Sequence, residues 1–98
     1  MRSNQDPELL RAFAAELKLR RASLGINQDE FAYEAGVNRS FVAKLEVGTS
    51  SPSLTTLFRI AEGLRVEPAE LIQSVSRRYQ KELRAARRSA WARDAKPR

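Results

Sequence analysis

The sequence predicts an all-α fold of five helices, and two observations support this prediction. Apolar residues recur at intervals of three and four along the chain instead of alternating, and this is the period of a helix face. Only four glycines and four prolines occur in 98 residues, so the chain has little turn material. The length and the 42% apolar content suffice for a single hydrophobic core. We therefore expect one compact helical domain.

The first two helices are defined by residues that suit helix ends. Asp6 can cap a helix that has Pro7 at its first position and ends near Gly25. Its predicted inner residues are Leu9, Leu10, Phe13, Leu17 and Leu24. A second, short helix begins after the N-cap Asn27 and stops at Gly36. Its predicted inner residues are Phe31, Ala32 and Ala35.

The third and fourth helices are bounded in the same way. Asn38 caps a helix that continues through Val47 and is ended by Gly48. Its buried side is predicted to be Val42 and Leu45, and its solvent side Arg39, Ser40, Ala43 and Lys44. After a polar loop, Ser53 starts a helix whose predicted inner residues are Leu54, Leu57, Ile60, Ala61 and Leu64.

The fifth helix leads into a strongly basic tail. Pro68 suits its first turn, and the predicted apolar stripe is Leu71, Ile72, Val75, Tyr79 and Leu83. Residues 77–98 have a net charge of +7, whereas residues 1–76 have −1. We therefore divide the chain into a domain over residues 1–76 and a basic extension over residues 77–98. The extension is predicted to be helical through about Ala90 and able to pair with a second subunit, or else a disordered arm on nucleic acid; a membrane-surface helix is a third possibility.

Composition excludes most catalytic and metal sites. The chain has no cysteine and no histidine, and its 12 carboxylates are scattered. We expect no enzymatic activity, no cofactor, no metal and no small-molecule ligand. No stretch of consecutive apolar residues approaches the ~18 that a membrane-spanning helix needs. Residues Met1 to Pro7 lack the apolar part of a secretory signal. The net charge of +6 favours a polyanionic partner, which is nucleic acid or an anionic membrane.

One segment carries a recognisable functional pattern. Two short helices joined by a tight turn are predicted in residues 27–48, which read NQDEFAYEAGVNRSFVAKLEVG. Gly36 can adopt the positive φ that the turn demands, and Ala32 is small where the two helices approach most closely. Phe31, Val37, Val42 and Leu45 are expected to fill the angle between the helices. This arrangement is a helix-turn-helix pattern.

At these residues the chain resembles the lambdoid phage repressor and Cro-type helix-turn-helix family, which includes plasmid regulators and restriction-modification controller proteins. The resemblance runs from about Phe13 to Ile72 and includes the segments LGINQDEFA, SSPSLTTLFRIAEGL and VEPAELI. It implies a compact five-helix domain that binds DNA as a symmetric dimer, with the third helix in the major groove. It also implies a phosphate contact for Gln28 and an internal ion pair between Arg21 and Glu46.

The resemblance places Arg39, Ser40 and Lys44 against base edges, and their chemistry agrees. A guanidinium at Arg39 can donate two hydrogen bonds to guanine, and all three residues can share one exposed helix face. Contacts to the DNA backbone are expected at Gln28, Asn38, Phe41, Thr49 and Ser50. Two positions depart from the family pattern. Val47 stands where many relatives have Arg or Lys, and Phe41 stands where tyrosine is common.

We therefore expect a homodimeric regulator of transcription, a repressor or autoregulator, that binds an inverted repeat of double-stranded DNA in the cytoplasm, at the bacterial nucleoid. Two alternatives stay open. One is an antitoxin-type protein-interaction module with secondary operator binding. The other is a nonspecific nucleic-acid binder that uses the basic tail.

Overall fold

The computed structural model describes residues 5–94, and within that range it contains five α-helices and no β-strand. In chain order the helices are α1 (Pro7–Ser23), α2 (Gln28–Ala35), α3 (Arg39–Val47), α4 (Leu54–Gly63) and α5 (Pro68–Asp94). The predicted all-α fold is confirmed.

The predicted N-caps begin the first four helices. Each of these side chains accepts a hydrogen bond from a backbone N–H in the first turn of its helix: Asp6, Asn27, Asn38 and Ser53. At Asn27 the cap is reciprocal, because the Glu30 carboxylate accepts a hydrogen bond from the Asn27 backbone N–H at 2.9 Å. Gly36 and Gly48 end α2 and α3 with φ of 68° and 80°. This left-handed conformation is energetically unfavourable for residues that have a Cβ. The turns on both sides of α3 are therefore sharply defined.

One hydrophobic core joins all five helices. Its largest fully buried side chains are Leu17, Phe31, Val42, Leu45, Ile60 and Leu71. α1 packs against both α5 and α3, and α2 packs against α3 and α4. The approach of α4 to α2 is close, because a Cβ at Gly63 would lie 3.0 Å from the Ala35 Cβ. The core thus holds α3 from behind, through α1 and α2.

Three residues predicted to face the core are exposed instead, so the prediction was wrong for them. Leu9, Leu54 and Ile72 are 38%, 72% and 44% exposed. An α-helix turns about 100° per residue, so the core covers Leu10 and Leu71 but not their neighbours Leu9 and Ile72. Leu54 lies in the first turn of α4, and the part of that helix covered by the core is centred on Ile60 and Ala61.

α5 is a continuous helix from Pro68 to Asp94, so it extends beyond the predicted Ala90. Its first half lies antiparallel to α1: Arg20 contacts Ser74, Glu16 contacts Arg78 and Arg11 contacts Glu82. The helix crosses the proposed boundary at residue 76 without interruption, and the division into 1–76 and 77–98 stays a prediction from composition. Residues 1–4 and the tail residues 95–98, which include Lys96 and Arg98, lie outside the described residues.

Candidate nucleic-acid interface

The outward side of α3 presents the three residues predicted to read DNA bases. Arg39, Ser40 and Lys44 are all exposed, whereas Val42 and Leu45 on the opposite side are fully buried. At 3.6 residues per turn, the three exposed positions span an arc of about 140° around the helix axis. Val47 lies within the same arc and is 70% exposed. The face therefore combines two cations and a hydroxyl with an apolar side chain.

A buried ionic contact fixes α3 to α1. Glu46 is 4% exposed, and Arg21 Nε and Nη2 donate to its two carboxylate oxygens at 2.5 and 2.9 Å. Arg21 Nη1 also donates to the Ile26 carbonyl at 2.8 Å. The bidentate contact and the additional bond hold the guanidinium in one orientation. Arg21 and Glu46 are the two residues that the sequence analysis expected to pair.

The protonation of this pair is set by the same contacts. Burial by itself raises the pKa of the Glu46 carboxyl, but hydrogen bonds from Arg21 and Gln28 and the charge of Arg21 outweigh it and lower the pKa. The hydrogen bond to Glu46 raises the pKa of Arg21, against the opposing effect of burial. The pair is therefore charged on both sides at neutral pH.

Gln28 joins this network instead of standing free at the surface. Its Nε2 donates to Glu46 Oε1 at 3.1 Å, so one of its two amide hydrogens is already used. The second amide hydrogen and the backbone N–H at the start of α2 remain suited to a phosphate. The network links α1, α2 and α3 through three side chains, and it brings the start of α2 beside α3.

The other residues predicted to contact the DNA backbone lie at the two ends of α3. The Asn38 side chain accepts from the Ser40 backbone N–H at 2.7 Å, so its carbonyl oxygen serves as a cap. The Thr49 hydroxyl donates to the Lys44 carbonyl at 3.2 Å, and Ser50 is half-buried beside it. The Phe41 ring packs against the core and is only half-buried. A phenyl ring has no hydrogen-bonding group, so any contact expected of Phe41 at this surface is a van der Waals contact.

The sequence did not predict the ionic contacts of two acidic residues, Asp29 and Glu16. Arg39 Nε lies 3.1 Å from Asp29 Oδ1, which pairs the first turn of α3 with the first turn of α2. Glu16 on α1 is 6% exposed and is held by Arg20 at 2.5 Å and Arg78 at 2.7 Å. A sequence signal existed for Glu16, because Glu16 and Arg20 stand four apart on one helix. No spacing rule indicates a contact between Asp29 and Arg39 across a turn.

Two negative findings apply to residues 5–94. No group of three or more carboxylates in that range could hold a metal ion. No helix of the described part is long and apolar enough to cross a membrane.

Comparison with known proteins gives matches that centre on this part of the chain. The family described as helix-turn-helix matches residues 17–71, which is more than half of the chain. An uncharacterised HTH-type transcriptional regulator of Methanothermobacter thermautotrophicus is 44% identical over 50 residues, which cover 51% of this chain and 72% of that protein.

Solved structures show the same architecture. The restriction-modification controller protein C.AhdI from Aeromonas hydrophila is 34% identical, with a TM-score of 0.61 over 63% of this chain and 94% of that one. The controller protein C.Esp1396I, solved as a tetramer in complex with its natural 35 base-pair operator, is 21% identical, with a TM-score of 0.68 over 74% of this chain and 95% of that one. The second likeness concerns the fold alone.

Proposed function

Because the chain belongs to the helix-turn-helix family, we propose that it is a transcriptional regulator that binds operator DNA in a sequence-specific way. The observation that supports this most is the outward face of α3, where Arg39, Ser40 and Lys44 are exposed on a helix that is fixed from behind. An α-helix fits the major groove, and side chains on its exposed face reach base edges there.

The proposed contacts divide into two kinds. Arg39 donates to the O6 and N7 acceptors of a guanine, and Ser40 and Lys44 contact neighbouring base edges. The backbone contacts come from these residues at the ends of α2 and α3: Gln28, Asn38, Phe41, Thr49 and Ser50. Phosphate contacts set the register of the protein on the duplex, and base contacts select the sequence.

We also propose that the protein acts as a homodimer through an α4 patch, which consists of Leu54, Phe58, Val66 and Pro68 around one surface hollow. Leu54 and Phe58 are 72% and 54% exposed and line the same hollow, and a contiguous exposed apolar patch is typical of an interaction surface. Arg59 and Glu62 line the same hollow. About a two-fold axis, the arginine of each copy can face the glutamate of the other, so the patch is complementary to itself.

A dimer of this kind presents two copies of α3 to two half-sites of an inverted repeat. Half-sites in successive major grooves are about 34 Å apart. A dimer bound over a promoter would exclude RNA polymerase, and this is the mode of action that we propose for a repressor or an autoregulator, whereas a dimer bound upstream could recruit the polymerase. The proposed site of action is the cytoplasm, where the chromosome lies.

The chain also has a feature that favours nonspecific binding. Near the end of α5, Arg84, Arg87, Arg88 and the 70% exposed Trp91 line one shallow surface hollow. Cations beside an aromatic ring suit a nucleic-acid backbone of any sequence. The variant Arg39→Ala separates the two modes of binding.

The variant Arg39→Ala is expected to lose about 1 to 3 kcal/mol of binding free energy on the operator and to relax the preference at one base pair. The measurement is a titration of wild type and variant on duplexes that differ at single base pairs. Arg93→Ala, which removes the same charge from the end of α5, serves as the control and is expected to keep every base preference. If Arg39→Ala weakens binding to all duplexes equally, Arg39 contacts phosphate and the proposed base contact is wrong.

A further inference from the structure

An acidic side chain stands next to the arginine that is proposed to read a base. Asp29 lies in the first turn of α2, and its Oδ1 is 3.1 Å from Arg39 Nε. Both side chains are about two-thirds exposed, at 68% and 66%, so the pair lies on the surface. An exposed ion pair contributes little to stability, because water screens the attraction and two side chains must be ordered. The contact therefore does little to hold the fold.

The backbone on both sides of this contact is well fixed. The reciprocal cap between Asn27 and Glu30 encloses Asp29, with bonds of 2.8 and 2.9 Å. On the other side, Asn38 caps α3 directly before Arg39. Only the side-chain torsions of Asp29 and Arg39 are thus left to set the position of the guanidinium.

The chemistry of the guanidinium gives the contact a direction. An arginine has five N–H donors in a planar fork, one on Nε and four on the two terminal nitrogens. In Arg39 the nitrogen that lies 3.1 Å from the Asp29 carboxylate is Nε, and the edge formed by the two terminal nitrogens lies on the far side of the guanidinium from Nε. That edge can donate two parallel hydrogen bonds to the O6 and N7 of guanine.

We propose that Asp29 is a positioning residue for DNA recognition, which orients the Arg39 guanidinium so that its terminal nitrogens meet a guanine in the major groove. This inference rests on the proposed function, since it assigns a determinant of specificity to the same interface. Asp29 also lies where a negative charge favours a helix N-terminus, but that role needs no contact with Arg39.

The proposal predicts opposite effects on specific and nonspecific binding. A carboxylate at a DNA interface repels phosphates, so its removal is expected to strengthen binding to random DNA. If Asp29 orients Arg39, the same removal weakens discrimination at the base pair that Arg39 contacts. An acid with no such role would give the first effect without the second.

The experiment compares wild type, Asp29→Asn and Glu34→Gln by fluorescence anisotropy on three labelled duplexes. One duplex carries the site selected by wild type from a random pool. The second has the Arg39-dependent base pair replaced, and the third is random. We expect Asp29→Asn to lose about 10-fold in discrimination between the first two duplexes. Its affinity for the random duplex is expected to be equal or higher.

Matched variants distinguish orientation from a loss of charge. Glu34→Gln removes one negative charge from the same helix, at a hollow beside Tyr33 and Arg65, and is expected to keep wild-type discrimination. Asp29→Glu keeps the carboxylate and is expected to restore part of the discrimination. In the Arg39→Ala background, Asp29→Asn is expected to leave discrimination unchanged, because no arginine remains to be oriented.

Two results would overturn the inference while the proposed function stands. Asp29→Asn could retain full discrimination at the Arg39-dependent base pair, or it could lose discrimination in the Arg39→Ala background as well. If wild type itself selects no sequence from the pool, the proposed function fails, and that result precedes any comparison of variants.

Discussion

At the scale of single residues, two buried carboxylates hold the helices around α3 in place. Glu46 connects α3 to Arg21 of α1 and Gln28 of α2. Glu16 of α1 contacts Arg20 of the same helix and Arg78 of α5. Burial alone raises the pKa of each carboxyl, but their hydrogen bonds to arginine outweigh it and lower both pKa values. Each buried carboxylate is thus matched by at least one arginine, and loss of Arg21 would leave the Glu46 charge buried without a counter-charge.

The variant Glu46→Gln is expected to lower the free energy of unfolding by about 3 kcal/mol at pH 7, because it leaves Arg21 partly buried without a counter-charge. Thermal unfolding followed by circular dichroism measures the loss. Glu34→Gln, at an exposed position, is the control and is expected to change the free energy of unfolding by no more than about 0.5 kcal/mol. Equal stability of Glu46→Gln and wild type would contradict the structural role of the pair.

The effect of Glu46→Gln on the free energy of unfolding is expected to depend on pH, and the lowered pKa of Glu46 sets the direction. The pKa of Glu46 is lowered in the folded protein from an ordinary value of 4.5, so its charge stabilises the fold above that pH. The contribution disappears as the pH falls through the lowered pKa. The difference in stability between wild type and Glu46→Gln is therefore expected to be constant near neutrality and to shrink below pH 4.5. A difference that stays constant at lower pH would contradict this assignment.

At the scale of helices, the sequence predicted where each helix begins better than which of its apolar residues face the core. The caps Asp6, Asn27, Asn38 and Ser53 could be predicted, because a helix N-terminus needs a local acceptor and the signal lies within three residues. Which apolar residue stays exposed, as at Leu54, depends on how far neighbouring helices extend. That information is not local, and periodicity alone does not contain it.

The candidate site shows the same division. The exposure of Arg39, Ser40 and Lys44 follows from their positions around α3 and was predicted. The contact between Asp29 and Arg39 was not predicted, because it depends on the angle at which the turn sets α2 against α3. Its two residues stand ten apart in the sequence, a separation at which helix periodicity gives no pairing rule.

The end of α5 gives a prediction for an element that projects from the core. Glu82 still contacts Arg11 at 3.5 Å, whereas nearly all side chains from Arg87 to Asp94 are exposed. A chain that ends at Ala86 is expected to keep its free energy of unfolding within about 0.5 kcal/mol, because residues 87–94 contribute almost no buried contact. Its affinity for every duplex is expected to fall, because residues 87–98 have a net charge of +4.

Base preference serves as the control for this truncation. The residues proposed to read bases lie on α3, so the truncated chain is expected to rank duplexes in the same order as wild type. Titrations on the selected and random duplexes at several salt concentrations measure both quantities. A changed order of preference, or a chain that no longer folds, would show that the end of α5 has a role other than added charge.

At the scale of the whole molecule, the proposed dimer forms through the α4 patch, which lies outside α3. The α4 patch exposes Leu54 and Phe58 beside Arg59 and Glu62, and a second copy can cover it. The variant Phe58→Glu is expected to shift the protein toward the mass of one 11.1 kDa chain, because it places a charge within an apolar contact. Sedimentation equilibrium without DNA measures the change.

The matched control for this prediction is Leu19→Glu. Leu19 on α1 is 54% exposed, as Phe58 is, and it lies outside the α4 patch. We expect this control to sediment as wild type does. If both variants sediment alike, the α4 patch is not where two copies meet.

The central claim is that α3 selects a DNA sequence, and selection of duplexes from a random pool followed by titration tests it most directly. The proposal predicts one enriched sequence, bound about 10³-fold or more tightly than random duplex at the same salt concentration. Equal affinity for the enriched and random duplexes would contradict it, since binding would then depend on the basic charge of α5 and not on the side chains of α3.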